Sequence, residues 1–399
     1  MRTTLIGLGI LGWALLTSAV AQTNAPAAAS TKAPAALAEL PDWPVGMMMP
    51  AELKEGQKPS KSKGLPKAEV LVWTPPNAKR IRAILLVPNN SDSKDCAQHA
   101  AIRDVFAKHE VGIVYLRNYN GNIIERVDPP VATNTIFALL AAVAKETGIV
   151  EFQHAPWITF GKSSRGMFPF RMAWQYPART IASIDYHGET PHWPMPAWSR
   201  VKDETILHLN INGSEEWDRT WYRHVRPNLL NYRAQTGWLT HQVVVNGVGH
   251  SNYADGCGSP GWGQPVPAGV ISCLRVWDYI AVYYDKVLSL RLPKGQYPTD
   301  GPVKLNQVDP ATGYLIHPRA PEELLSLKWR PLRQADGVYT IVDHIKEPGE
   351  VFDPNPGKVD ASLLIRKATD VPAAERKGLF WVADKEQADA WLKLHTPPK

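Results

Sequence analysis

The 399 residues carry 44 Lys and Arg against 38 Asp and Glu, a formal net charge of +6, and 44% of them are hydrophobic. That length and apolar share allow a sizeable buried core, in one large domain or one with a smaller addition. The charge is only mildly basic, and without a dense Lys/Arg cluster interleaved with aromatics no nucleic-acid groove is expected; the most basic stretch, 54–67, reads as a solvated linker.

The chain opens on Met1-Arg2, runs through an apolar stretch at 5–16 and reaches Ala19-Val20-Ala21 before Gln22. Basic, greasy and small in that order is the layout of a secretory signal peptide. The apolar run falls short of the roughly 20 residues that a membrane span needs. Residues 1–21 are therefore expected to be removed, leaving no membrane anchor and a mature protein that is secreted or periplasmic. Residues 22–42, rich in Ala, Pro, Thr and Ser, read as a flexible lead-in.

From Trp43 onward short apolar runs alternate with helical patterns. Strands are expected at 70–73 and 82–87, the second halted by Pro88-Asn89-Asn90. A polar loop follows, then a helix at 98–109 with Ile102, Val105 and Phe106 on one face, and a strand at 111–116. The spacing of Ile136, Leu139, Leu140 and Val143 predicts a helix at 133–145. Beyond it come strands at 157–160, 180–185, 205–211 and 242–245, separated by helices at 166–175 and 221–232 and followed by a long helix at 270–290. Such alternation argues for a mostly parallel sheet covered on both faces, a doubly wound α/β fold. After Pro293 strands become short (339–342) and a helix at 385–394 closes the chain. Residues 43–292 thus read as the main domain and 293–399 as a small C-terminal appendage or an embellishment of the main sheet.

The strongest chemical signal is Gly161-Lys162-Ser163-Ser164-Arg165-Gly166, placed between an apolar strand and a helix. A serine on so tight a turn projects its hydroxyl above the sheet, beside a helix N-terminus that favours negative charge. Fourteen residues after Ser163 stands Pro177, within Tyr176-Pro177. In these features residues 68–291 resemble α/β-hydrolases of the esterase and polyester-depolymerase kind, whose elbow reads Gly-x-Ser-x-Gly-Gly and runs through a helix to an aromatic-Pro pair. The resemblance implies the α/β-hydrolase type of sheet and a serine nucleophile at Ser163. Arg165 departs from the pattern, which has a small residue there. It opens a second register, as in glucuronoyl esterases, with Ser164 as nucleophile and Arg165 after it; only Ser163 keeps Gly161 two positions upstream.

The resemblance also places the remaining machinery. Its catalytic histidine lies in a loop after the last strand, where Gly247-Val248-Gly249-His250 stands, so His250 is the expected base. Its acid follows the preceding strand, where Ser214-Glu215-Glu216-Trp217-Asp218 stands. Glu216, three residues past Gly213, is the expected acid, with Glu215 and Asp218 as alternatives. An oxyanion hole would use the backbone N–H of Ser164 and a second donor at Asn90.

Fifteen tryptophans include Trp193, Trp198, Trp217, Trp221 and Trp262 in loops that should surround this site. Their faces stack on sugar rings and other flat, partly apolar groups. Trp193, Trp217, Trp262 and His187 are expected to bind substrate. The predicted partner is a small-molecule or polysaccharide ester, with a lipase, polyester depolymerase, serine peptidase or non-catalytic carbohydrate-binding role as alternatives. No metal or other cofactor is expected, because neither ligand spacing nor a nucleotide-binding glycine loop occurs. Of Cys96, Cys257 and Cys273, a Cys96–Cys257 or a Cys257–Cys273 bridge is expected in an oxidising compartment.

Overall fold

The computed structural model describes residues 45–48, 69–88, 90–117, 129–188, 205–214, 216, 221–245, 248, 250, 273–324, 332–335, 338–341 and 359–396. Its main sheet is built from β1 (Val45–Met48), β2 (Glu69–Trp73), β3 (Ala83–Pro88), β4 (Val111–Arg117), β5 (Trp157–Lys162), β6 (Thr180–Tyr186), β7 (Leu207–Gly213) and β8 (Leu239–Val245). Their spatial order is β1-β2-β4-β3-β5-β6-β7-β8. From β4 through β8 neighbours run parallel, and β2 and β1 add an antiparallel edge. This is the mostly parallel, doubly wound sheet of the α/β-hydrolase type.

The apolar runs explain why both faces are covered. Successive strand residues point to opposite faces, and here both sets are greasy. On β3, Ala83, Leu85 and Val87 join one core while Ile84 and Leu86 join the other; on β4, Ile113 and Tyr115 part from Val114 and Leu116 in the same way. The first core is closed by the helices Ala100–His109 and Cys273–Arg291 through Phe106, Trp277 and Tyr284, the second by Pro129–Thr147 through Ile136, Leu140 and Val143. β3 and β4, buried on both faces, are continuous apolar runs, which is why they were legible.

Of the described residues after 293, Phe380–Val382 and Lys385–His395 pack against β8 at the far edge of this sheet, while Tyr297 and Thr299 bond to Glu110 and Arg80 near β3 and β4. Three short antiparallel strands, β9 (Tyr314–Ile316), β12 (Ile365–Lys367) and β13 (Phe380–Val382), pair in the order β12-β9-β13, while β10 (Leu332–Ala335) and β11 (Val338–Ile341) form a separate hairpin. The terminal helix Lys385–His395 meets the open edge of β8: Trp391 Nε1 donates to Gln242 O at 2.9 Å and Val244 N donates to His395 Nε2 at 3.1 Å. An edge strand otherwise offers unpaired amides to any other chain; here side chains satisfy two of them.

Two expectations are corrected. The polar loop after β3 is a helix, Ser91–Gln98, whose N-cap Asn90 accepts from Asp92 N at 3.2 Å. Its few apolar side chains hid it, but Asp92 and Ser93 are buried along with Cys96 and Ala97. Cys96 is a free thiol, so no Cys96–Cys257 bridge forms. It lies wholly buried, where burial pushes the thiol up despite a hydrogen bond with Tyr284. Cys257 and the Cys273 side chain lie outside the described residues, as do residues 1–44.

Candidate active site

β5 ends at Lys162 in extended backbone, and Ser163 then turns into the left-handed region at φ 54°. A non-glycine residue there costs energy, and the surroundings must hold it. A single turn, Ser163–Arg165, leads into the helix Met167–Gln175, with Gly166 N bonded to Ser163 O at 2.8 Å. The fold-back explains Gly161: a Cβ there would run into the carbonyl oxygen of Arg165 and lie 2.7 Å from Pro169 Cδ. Likewise a Cβ on Gly166 would press on Asp185 Oδ1. The serine is thereby lifted off the end of the sheet on a turn too tight for larger neighbours.

β7 and β8, side by side, end beside this turn and deliver the next two groups. Ser163 Oγ donates to His250 Nε2 at 2.6 Å, and on the opposite side of the ring His250 Nδ1 faces Glu216 Oε1 at 3.3 Å. Only a donor can face an ionised carboxylate, so Nδ1 carries the hydrogen and Nε2 is left to accept from the serine. Glu216 is almost completely shielded from solvent. Burial would raise its carboxyl, but the His187 charge and hydrogen bonds from His187 and His250 outweigh it and hold the group below the usual carboxylate range. The arrangement pairs a weak nucleophile with a base whose far nitrogen rests on a buried anion, which is what proton abstraction from a serine needs.

Distant structural likeness runs to esterases and serine hydrolases. Est1E from Butyrivibrio proteoclasticus is similar at 10% identity over 56% of this chain and 93% of that one, with a TM-score of 0.35. FphF, the Staphylococcus aureus fluorophosphonate-binding serine hydrolase F, is similar at 10% identity over 57% of this chain and 95% of that one, with a TM-score of 0.36. Esterase PE8 is similar at 17% identity over 48% of this chain and 93% of that one, with a TM-score of 0.32. No family model and no curated protein matches the chain. The fold assignment stands on the strand order and the site on its own geometry.

Of the residues singled out from the sequence, Ser163, Glu216 and His250 are brought together. Asn90 caps the helix Ser91–Gln98, and Tyr115 Oη donates to its carbonyl at 3.1 Å. Ser164 occupies the elbow turn, where its backbone follows the serine. Trp193, Trp198, Glu215, Trp217, Asp218 and Trp262 lie outside the described residues. Trp221 is buried, and its Nε1 donates to Ser214 O at 3.1 Å, just before the acid.

His187 was expected to line the substrate pocket, and the structure corrects this. Its side chain has no solvent exposure, and Nδ1 donates to Glu216 Oε1 at 2.7 Å. The strand-end position was legible, but neither burial nor backbone angle can be read from a loop histidine.

Two further groups escaped sequence reasoning. Asn212, wholly buried on β7, donates through Nδ2 to Glu216 Oε2 at 2.6 Å. Its place four residues before the acid was the available signal. Lys162, the residue before the serine, forms a buried ion pair with Asp92 on the helix that Asn90 caps. This pair ties the loop after β3 to the elbow. Beside it Asp95 is pushed up to about 7, by burial first and by Asp92 next, against the pull of Lys94 and Lys162. Among the described residues no group of three or more His, Cys, Asp and Glu side chains could hold a metal ion.

Proposed function

We propose that this protein is a serine hydrolase that cleaves carboxylic esters through an acyl-enzyme. The observation that carries the reading is the line Ser163 Oγ, His250 Nε2, His250 Nδ1, Glu216 Oε1, at 2.6 and 3.3 Å, starting from a serine held at φ 54°. As Ser163 Oγ attacks the ester carbonyl carbon, His250 Nε2 takes its proton and Glu216 stabilises the imidazolium. The carbonyl oxygen becomes an oxyanion, which backbone N–H of Ser164 and the Asn90 turn would hold. His250 then gives its proton to the departing alcohol. Water, deprotonated by the same nitrogen, attacks the acyl group, and collapse of the second tetrahedral intermediate frees the acid and restores Ser163.

The substrate we infer is an ester on a carbohydrate, met outside the cytoplasm. Support comes from the signal-peptide layout of residues 1–21 and from Trp193, Trp217 and Trp262, whose faces suit sugar rings. The test is a panel of acetyl, feruloyl and glucuronoyl esters, run with Ser163→Ala and Ser164→Ala alongside. Hydrolysis of at least one ester, abolished by Ser163→Ala and substantially kept by Ser164→Ala, is expected. The reverse pattern would move the nucleophile to Ser164, and no hydrolysis of any ester would remove the esterase reading.

A further inference from the structure

We propose that His187 is a positioning residue for the triad acid, aiming the Glu216 carboxylate at His250 from behind without touching the reacting atoms. The inference rests on the serine-hydrolase reading above and concerns what keeps its acid in place.

Glu216 reaches the site from the turn after β7, and a glutamate has enough rotatable bonds to point elsewhere. Three donors among the described residues restrain it. Asn212 Nδ2 holds Oε2 at 2.6 Å, while Oε1 is shared by His187 Nδ1 at 2.7 Å and His250 Nδ1 at 3.3 Å. The base is thus the longer of the two partners on Oε1. It cannot also be the anchor, because its ring must carry a proton to and fro while the carboxylate stays put. The shorter bond, from a side chain with no exposure, fixes where Oε1 sits.

The backbone points the same way. His187 follows β6 directly and adopts φ 50°, a left-handed conformation uncommon outside glycine, though asparagine, aspartate and histidine adopt it more readily than other residues. Its backbone and ring are fixed in place: His187 N donates to Ile211 O at 2.6 Å, and its ring stands edge-on to Tyr186 with centroids 4.4 Å apart. The turn sends the imidazole across the ends of β6 and β7 onto the acid. Its ring centroid lies 6.2 Å from that of His250.

The test separates this role from packing. Asparagine places its amide nitrogen the same number of bonds from the backbone as Nδ1 and tolerates positive φ, so His187→Asn should stay within a fewfold of the natural kcat. His187→Phe keeps the ring and loses the donor; His187→Gly relaxes the backbone and also loses it. Both should lower kcat on the order of 10–100-fold, the scale of one hydrogen bond to a charged group, with KM little changed. The glycine variant keeps the test open should the phenyl ring fail to pack. Equal kcat in the phenylalanine or glycine variant and the natural protein, or an asparagine variant as poor as both, overturns the proposal. Ser163→Ala in the same assay keeps the two readings apart. If it still turns over, the nucleophile assignment falls; if it is dead while the phenylalanine and glycine variants are unimpaired, only the role of His187 falls.

Discussion

Lowering the pH should unfold this protein from the strands that carry its site. His395 is wholly buried, donates through Nδ1 to Trp391 O at 2.9 Å and accepts Val244 N–H on Nε2 at 3.1 Å. A second proton would turn that acceptor into a donor facing a donor. Burial accordingly lowers the group from 6.5 to about 4, and burial likewise lowers His208 and His241 to about 3. With folded values below unfolded ones, the unfolded chain binds more protons between them, so the stability these groups confer is present above about pH 6.5 and drains away as pH falls. Asp95, raised to about 7, works in the opposite sense over the same range. At about 1.4 kcal/mol per pH unit per group, three histidines less one carboxyl cost on the order of 4–5 kcal/mol between pH 7 and pH 4.5. That is a large part of the ~5–15 kcal/mol typical of a folded domain. Urea unfolding followed by tryptophan fluorescence at several pH values measures it. His395→Gln, which retains an acceptor for Val244 N–H and does not titrate, should recover about 2 kcal/mol of the acid loss. Parallel pH dependences in the natural chain and this variant would refute the reasoning.

Other substitutions probe the elbow and the acid. Gly161→Ala should lower the melting temperature and abolish ester hydrolysis, because its Cβ meets backbone at Arg165 and the ring of Pro169; a variant as stable and active as the natural chain would show that the turn relaxes. Lys162→Met removes the buried cation opposite Asp92 and should cost about 3–5 kcal/mol in urea unfolding, with Lys162→Met/Asp92→Leu recovering much of it. Glu216→Gln should reduce kcat on the order of 10⁴-fold with little change in substrate binding; a small loss would place the acid at Glu215 or Asp218.

The sheet was legible because β3 and β4 are apolar on both alternate faces, and the elbow because glycines bracket a serine between strand and helix. Legibility failed where the deciding fact is tertiary. The helix Ser91–Gln98 offers little apolar periodicity, since part of its buried side is Asp92 paired with Lys162, some 70 residues away. β9, β12 and β13 are three residues each and pair across about 50 to 65 residues of chain, too short for a period and too distant for a turn signal. Within its acidic cluster Glu216 is chosen by its register past Gly213 alone, with Glu215 and Asp218 as alternatives, because the direction of a side chain is not written in local sequence. His187 was expected to line the pocket because nothing local reveals that its amide bonds to Ile211 on β7 and its ring to Glu216.

The central claim is that Ser163 is a nucleophile activated by His250. Labelling the folded protein with a fluorophosphonate and sequencing the modified peptide by mass spectrometry tests it most directly. The account predicts one phosphonate on Ser163, absent after heat denaturation and strongly reduced in His250→Ala. A label on Ser164, or no label on folded protein, would contradict it.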